Sequence, residues 1–168
     1  MKKHFIVLIF IFAVLALTSC GPNLIAIGEK APNFALRNLN GEEVSLSDQR
    51  GKAVLLNFWG VWCPPCTIEM PDIVERAERY QDDLVVMAVN YGDSLNTVIE
   101  FATVMKLGFS PLLDITGDVQ DQYLISGYPT SIFIDADGLI QMIHVGYLDA
   151  ETLDEYLGMI GVGGGGNN

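Results

Sequence analysis

One stretch constrains the fold more than any other: an unbroken apolar run, Ala53–Trp59 (AVLLNFW), leads through Gly60-Val61-Trp62 into Cys63-Pro64-Pro65-Cys66. Such a run fits a strand buried on both faces, as in a parallel sheet covered by helices. The residues that follow, Pro64 to Tyr80, carry a helical pattern. Ile68, Ile73, Ala77 and Tyr80 fall on its expected inner face, and Glu75, Glu78 and Arg79 on its outer one. Pro64 and Pro65 suit a first helical turn, whose N–H groups have no partner. Cys63 therefore sits at a helix start, where free N–H groups and the dipole favour a thiolate. Cys66 lies one turn further in, on the same face and within bridging distance, and is expected to be the more buried. A nucleophilic thiol backed by a resolving thiol is the machinery of disulfide exchange. A static disulfide or half of a zinc site would use the same two cysteines. Zinc needs two more ligands, and neither a second cysteine pair nor a nearby histidine is available.

The rest of the chain supplies a frame for this unit. Asn33 to Leu46 reads as a hairpin around Asn40-Gly41, with Ser47-Asp48 capping a single helical turn before Gly51. Leu84 to Tyr91 is a second buried strand. Ser94 to Leu107 is an amphipathic helix capped by Ser94 and ended by Gly108. Asp118 to Ile125 is a shorter helix. Thr130–Asp135 and Leu139–Val145 are strands joined through Asp137-Gly138. Asp149 caps a last helix running to about Met159. Strands alternating with helices imply a parallel pair with crossovers, and the closing hairpin adds antiparallel strands. The expected class is α/β, a mixed sheet with helices on both faces. Gly161 to Asn168, rich in glycine, reads as a flexible tail.

The amino terminus reads as a targeting segment. Lys2, Lys3 and His4 precede an apolar run from Phe5 to Leu17, too short for a spanning helix but sized for a signal-peptide core. Leu17-Thr18-Ser19-Cys20 resembles the lipobox of bacterial lipoproteins. That resemblance implies cleavage after residue 19, lipidation of Cys20, a tether over 20–30, and a domain outside the cytoplasm held on a membrane by its acyl chains. The folded domain is expected over 31–160. A balance of 9 Lys and Arg against 21 Asp and Glu, net −12, disfavours nucleic-acid binding through phosphate neutralisation. With only His4 and His144, no multi-histidine metal centre is expected.

The segment WCPPC after an apolar strand resembles a thioredoxin-fold active site. Pro71 matches the helix proline of that fold, Tyr128-Pro129-Thr130 its cis-proline loop, and Gly146 a glycine after its last strand. The hairpin region from Asn33 to Arg50 and the added helix–strand segment Ser94–Leu113 resemble the AhpC/TSA-like branch. With the lipobox, the chain is most similar to the membrane-tethered TlpA/ResA-like thiol–disulfide oxidoreductases. The resemblance implies a thioredoxin fold with an N-terminal hairpin and an inserted helix–strand segment. It implies reduction of protein disulfides by a Cys63–Cys66 dithiol, with no cofactor beyond that redox pair. Trp62, Pro64, Pro65, Tyr128, Pro129 and Thr130 are then the expected substrate contacts. Electrons would come from a membrane thiol transporter of the CcdA/DsbD type, and apocytochrome c is a candidate substrate. Two departures stand out. Thioredoxins carry a buried Asp where this chain has Asn57, which cannot accept a proton. Glu69, three residues after Cys66, matches a glutamate of the ResA-like branch and is the candidate proton acceptor for Cys66. A peroxidase shares the AhpC/TSA frame, but the Pro and Thr/Ser of its P-x-x-x-T/S-x-x-C pattern fall here on Leu56 and Gly60. A surface lipoprotein with a static disulfide is the non-enzymatic alternative. Trp59 and Trp62 flank the site. His144 reads as a packed or edge histidine, Met87, Met105 and Met142 as core, and Asp149-Glu151-Asp154-Glu155 as a solvated face.

Overall fold

The computed structural model describes residues 25–163. The signal segment and Cys20 lie outside the described residues. Seven strands form one mixed sheet: β1 (Ala35–Asn38), β2 (Glu43–Ser45), β3 (Ala53–Trp59), β4 (Leu84–Asn90), β5 (Leu112–Leu113), β6 (Thr130–Ile134) and β7 (Ile140–Val145). Their spatial order is β2-β1-β5-β4-β3-β6-β7. The helices are α1 (Pro64–Arg79), α2 (Leu95–Met105), α3 (Asp118–Gln122) and α4 (Ala150–Met159), and a short 3-10 turn spans Leu46–Gln49.

β3 occupies the middle of the sheet. It runs parallel to β4, from Ala53↔Leu84 to Trp59↔Asn90, and antiparallel to β6, from Val54↔Ile134 to Phe58↔Thr130. Every residue of β3 is buried, as its continuous apolar sequence requires. Successive side chains alternate between two cores. Leu55 and Trp59 join Met70, Ile73, Phe133, Leu153 and Leu157 on the side of α1 and α4. Val54, Leu56 and Phe58 join Phe34, Leu46, Tyr123 and Ile132 on the other. By that alternation Asn57 shares the α1 face.

The expected hairpins both form, with Gly41 at φ +80° and Gly138 at φ +81° supplying left-handed turn positions. Ser94 Oγ accepts from Thr97 N at 3.2 Å and Asp149 Oδ1 from Thr152 N at 2.8 Å, so both expected caps are made.

Several expectations need correction. α2 ends at Lys106, which adopts φ +54°, rather than at Gly108. The 3-10 turn begins at Leu46, which is fully buried, and Ser47 does not cap it. In α1 the inner face is Cys66, Glu69, Met70, Ile73 and Arg76, while Ile68 is 63 % exposed. Of the expected stripe Ile73 is buried and Ala77 and Tyr80 pack against the same core, so only Ile68 is misplaced, and the places apolar spacing misses belong partly to Glu69 and Arg76. Arg76 is buried between helices and makes a two-point contact with Asp154 of α4, at 2.9 and 2.8 Å. Asp154 therefore belongs to a helix–helix clamp rather than to a purely solvated face. The segment read as tether is docked over its end: Gly28 N donates to Ile140 O at 2.7 Å and Glu29 O accepts from Ile140 N at 2.9 Å. Val162, inside the segment read as flexible, is 2 % exposed and packs in the α1–α4 core. Residues 164–168 lie outside the described residues.

Candidate active site

The end of β3 delivers Cys63 to the start of α1. Cys63 is the N-cap of that helix and its Sγ accepts from Cys66 N at 3.3 Å. The two cysteines form a disulfide across a Cα–Cα distance of 5.3 Å. Cys66 is fully buried, as expected. Cys63 is also well covered, at 4 % exposure, so the thiol is less open than its place at a helix start implied. Pro64 is exposed and Pro65 half-buried beside it.

One turn beyond Cys66, Glu69 is buried, at 1 % exposure. Its Oε1 accepts from Asn57 Nδ2 at 3.0 Å and its Oε2 from the Leu148 backbone N–H at 2.9 Å. Asn57 Nδ2 also donates to Ser131 Oγ at 3.0 Å, since Asn57 and Ser131 are cross-strand partners on β3 and β6. Burial disfavours the charge and pushes the Glu69 carboxyl up to about 7, while the two hydrogen bonds partly offset the rise. A carboxyl poised there can take or give a proton near neutral pH.

Trp62 forms one wall. It is 52 % exposed, its indole N–H donates to Tyr91 O at 2.9 Å, and its ring meets Tyr128 edge-on at 5.0 Å. It lies against Gly60, where a Cβ would come within 2.4 Å of Trp62 Nε1. Asp93 Oδ2 accepts from Val61 N at 2.7 Å and Asn90 Nδ2 at 2.9 Å, tying the β3–α1 loop to the end of β4.

The Tyr128–Pro129 bond is cis, and the Phe58↔Thr130 pairing brings this loop beside the end of β3. Pro129 is buried and its carbonyl accepts from Gly146 N at 2.8 Å. The tyrosine hydroxyl of Tyr128 donates to Gln120 of α3. The Thr130 side chain is buried and donates to Gly127 O at 2.8 Å.

The AhpC/TSA family model matches residues 27–143. The chain belongs to the AhpC/TSA family. Two relatives come from Bacillus subtilis (strain 168). Thioredoxin-like protein YneN is 41 % identical over 133 residues, covering 77 % of this chain and 78 % of that protein. Thiol-disulfide oxidoreductase ResA is 35 % identical over 141 residues, covering 83 % and 79 %. A solved structure from Chlorobium tepidum, carrying the name thiol:disulfide interchange protein DsbE, superposes with a TM-score of 0.74 at 32 % identity, covering 80 % of this chain and 98 % of that one. The resemblance read from WCPPC and its surrounding elements is thus borne out, as is the thioredoxin-like architecture.

Within this AhpC/TSA frame, the structure brings together Cys63, Cys66, Glu69, Trp62, Tyr128 and the Pro129 loop, all named from the sequence. It adds Ser131, the Leu148 amide, Tyr91, Gly60 and Asp93. From the sequence, Asn57 stands out only as a departure from the thioredoxin pattern. Its signal was a lone amide inside an apolar strand. Gly60 stands in the loop before Cys63, but its contact with the Trp62 ring has no sequence signal, and the others reach the site by pairing or by a loop that returns from elsewhere in the chain. His144 lies on the edge strand, with a ring nitrogen 3.1 Å from Tyr147 O. Among the described residues no group of His, Cys, Asp and Glu could hold a metal ion.

Proposed function

We propose that this protein is an extracytoplasmic thiol–disulfide oxidoreductase that reduces protein disulfides through the Cys63–Cys66 dithiol. The observation that carries the reading is a cysteine pair at a helix start with a buried, near-neutral carboxyl one turn beyond it. Relatives named thiol-disulfide oxidoreductases support it. In the reduced protein the Cys63 thiolate attacks a substrate disulfide, forming a mixed disulfide and releasing one substrate thiolate. Glu69 then takes the proton of Cys66. The resulting thiolate attacks Cys63 Sγ, the Cys63–Cys66 bond forms, and the second substrate sulfur leaves and is protonated. The packing of Trp62 on Tyr128 beside the cis Pro129 loop, together with Pro64 and Pro65 at the helix start, supports these residues as the substrate contacts.

The finer reading rests on the sequence. The Leu17–Cys20 lipobox supports lipidation of Cys20 and a place on the outer side of a bacterial membrane. Among the described residues no helix is long and apolar enough to cross a membrane. A membrane thiol transporter of the CcdA/DsbD type is then the electron donor, and apocytochrome c a candidate substrate.

The deciding experiment uses Cys66→Ser and Cys63→Ser with a protein disulfide. The first accumulates a mixed disulfide at Cys63; the second forms none. A reduction potential near about −270 mV, as in thioredoxin, supports a reductant, and one near about −120 mV reverses the direction. No mixed disulfide with Cys66→Ser would leave the static-disulfide reading standing.

A further inference from the structure

The amide of Asn57 is fully buried and unevenly satisfied. Its Nδ2 spends both hydrogens, on Glu69 Oε1 and Ser131 Oγ, while its Oδ1 is buried without a partner. A buried polar atom left unpaired is costly, so its presence beside an ionisable group calls for a physical reason. A half-turn of the amide would exchange one unpartnered atom for another: Oδ1 would move toward Glu69 and Ser131, and Nδ2 would take the empty position. Ser131 tolerates either arrangement, because a hydroxyl can accept from Nδ2 or donate to Oδ1. Only Glu69 distinguishes the two. An ionised carboxylate needs the N–H, and a protonated acid needs an acceptor for its O–H.

We propose that Asn57 is a positioning residue that hydrogen-bonds Glu69 in both protonation states, donating Nδ2–H to the carboxylate and, after a half-turn, accepting the acid O–H on Oδ1. The inference rests on the reading of Glu69 as the proton acceptor of Cys66. When Glu69 takes that proton, the amide turns and Ser131 reverses its hydroxyl, so neither form of the acid is left unpartnered. An Asp at this position would add a second carboxylate and could serve only one of the two forms without titrating itself. The other groups against Glu69 do not switch. The Leu148 N–H is a fixed donor to Oε2, and Cys66 lies one turn away on the same helix. Among the described residues no cation pairs with Glu69.

The test is an NMR titration of the oxidised full domain, following the Glu69 carboxyl carbon and the contacts of the Asn57 side-chain amide protons. The expected result is that contacts from the amide protons to the Ser131 β-protons, strong at high pH, weaken at low pH with the midpoint of Glu69. An unchanged contact pattern across that midpoint would overturn the proposal. Asn57→Leu removes donor and acceptor together. If the amide serves both forms, the Glu69 midpoint moves by less than about half a pH unit, whereas an amide that serves only the anion gives a rise of about one unit or more. The wild-type titration needs no variant, so an Asn57→Leu chain that fails to fold leaves the test intact. If the wild type turns over no disulfide while the amide contacts follow Glu69, the oxidoreductase reading falls and the amide switch stands.

Discussion

Replacing Glu69 with Gln should favour the folded state increasingly, relative to the wild type, as pH rises through neutrality. The Glu69 carboxyl stands at about 7 in the folded protein against 4.5 for the ordinary group. The folded state therefore holds a proton that the unfolded state releases between those values. Stability attached to Glu69 is fully present below the lower value and is lost as pH rises through the upper one. At 1.36 kcal/mol per unit, the ionised side chain costs the folded state roughly 3 kcal/mol above neutrality. Gln occupies the same space without charge. Its Oε1 can keep the Leu148 N–H and its amide can face Oδ1 of a turned Asn57, so its own cost does not vary with pH. Urea unfolding of both oxidised proteins, at about pH 5 and about pH 8, gives the difference directly. The variant should gain about 2–3 kcal/mol relative to the wild type between those two conditions. Asp149 and Asp154, whose carboxyls are held below the usual range by the Thr152 N–H and by Arg76, titrate alike in both proteins and cancel. Parallel stability curves across that interval would refute the buried-carboxyl argument.

Four further outcomes are expected. Glu69→Gln should slow resolution of the mixed disulfide and erase an inflection near neutral pH from the turnover profile, and an unchanged profile counts against Glu69 as the proton acceptor. Gly60→Ala places a Cβ against the Trp62 ring and should evict it, at a cost of about 1–3 kcal/mol, read as a red-shifted tryptophan emission and a raised KM. Arg76→Ala removes the two-point contact with Asp154 and a buried stem between α1 and α4. The loss should be about 2 kcal/mol by chemical unfolding, below the cost for a fully buried pair because Asp154 remains solvated. Val162→Ser should cost about 1–2 kcal/mol, since it strips buried methyls from the α1–α4 core, whereas no change would mean that the segment is loose.

What the sequence determined by itself is local. The run Ala53–Trp59 could be only a doubly buried strand, Asn40-Gly41 and Asp137-Gly138 only turns, and the cysteines around Pro64-Pro65 only a helix-start pair. Each follows from steric or solvation rules acting within a few residues. The failures share a cause. Apolar spacing puts Ile68 inside α1 because it assumes that charges face water, yet Glu69 and Arg76 are buried there by partners from distant segments. Glycine-rich composition makes Val162 read as part of a flexible tail, because it does not reveal that one valine finds a hole in a core. The tertiary structure alone decided the chemistry around Glu69: a strand amide from β3, itself bonded to a hydroxyl on β6, and a loop N–H at Leu148 converge on one carboxyl. Their convergence sets how much water Glu69 loses and which hydrogen bonds replace it, and that balance, which no sequence spacing encodes, holds its proton near neutrality.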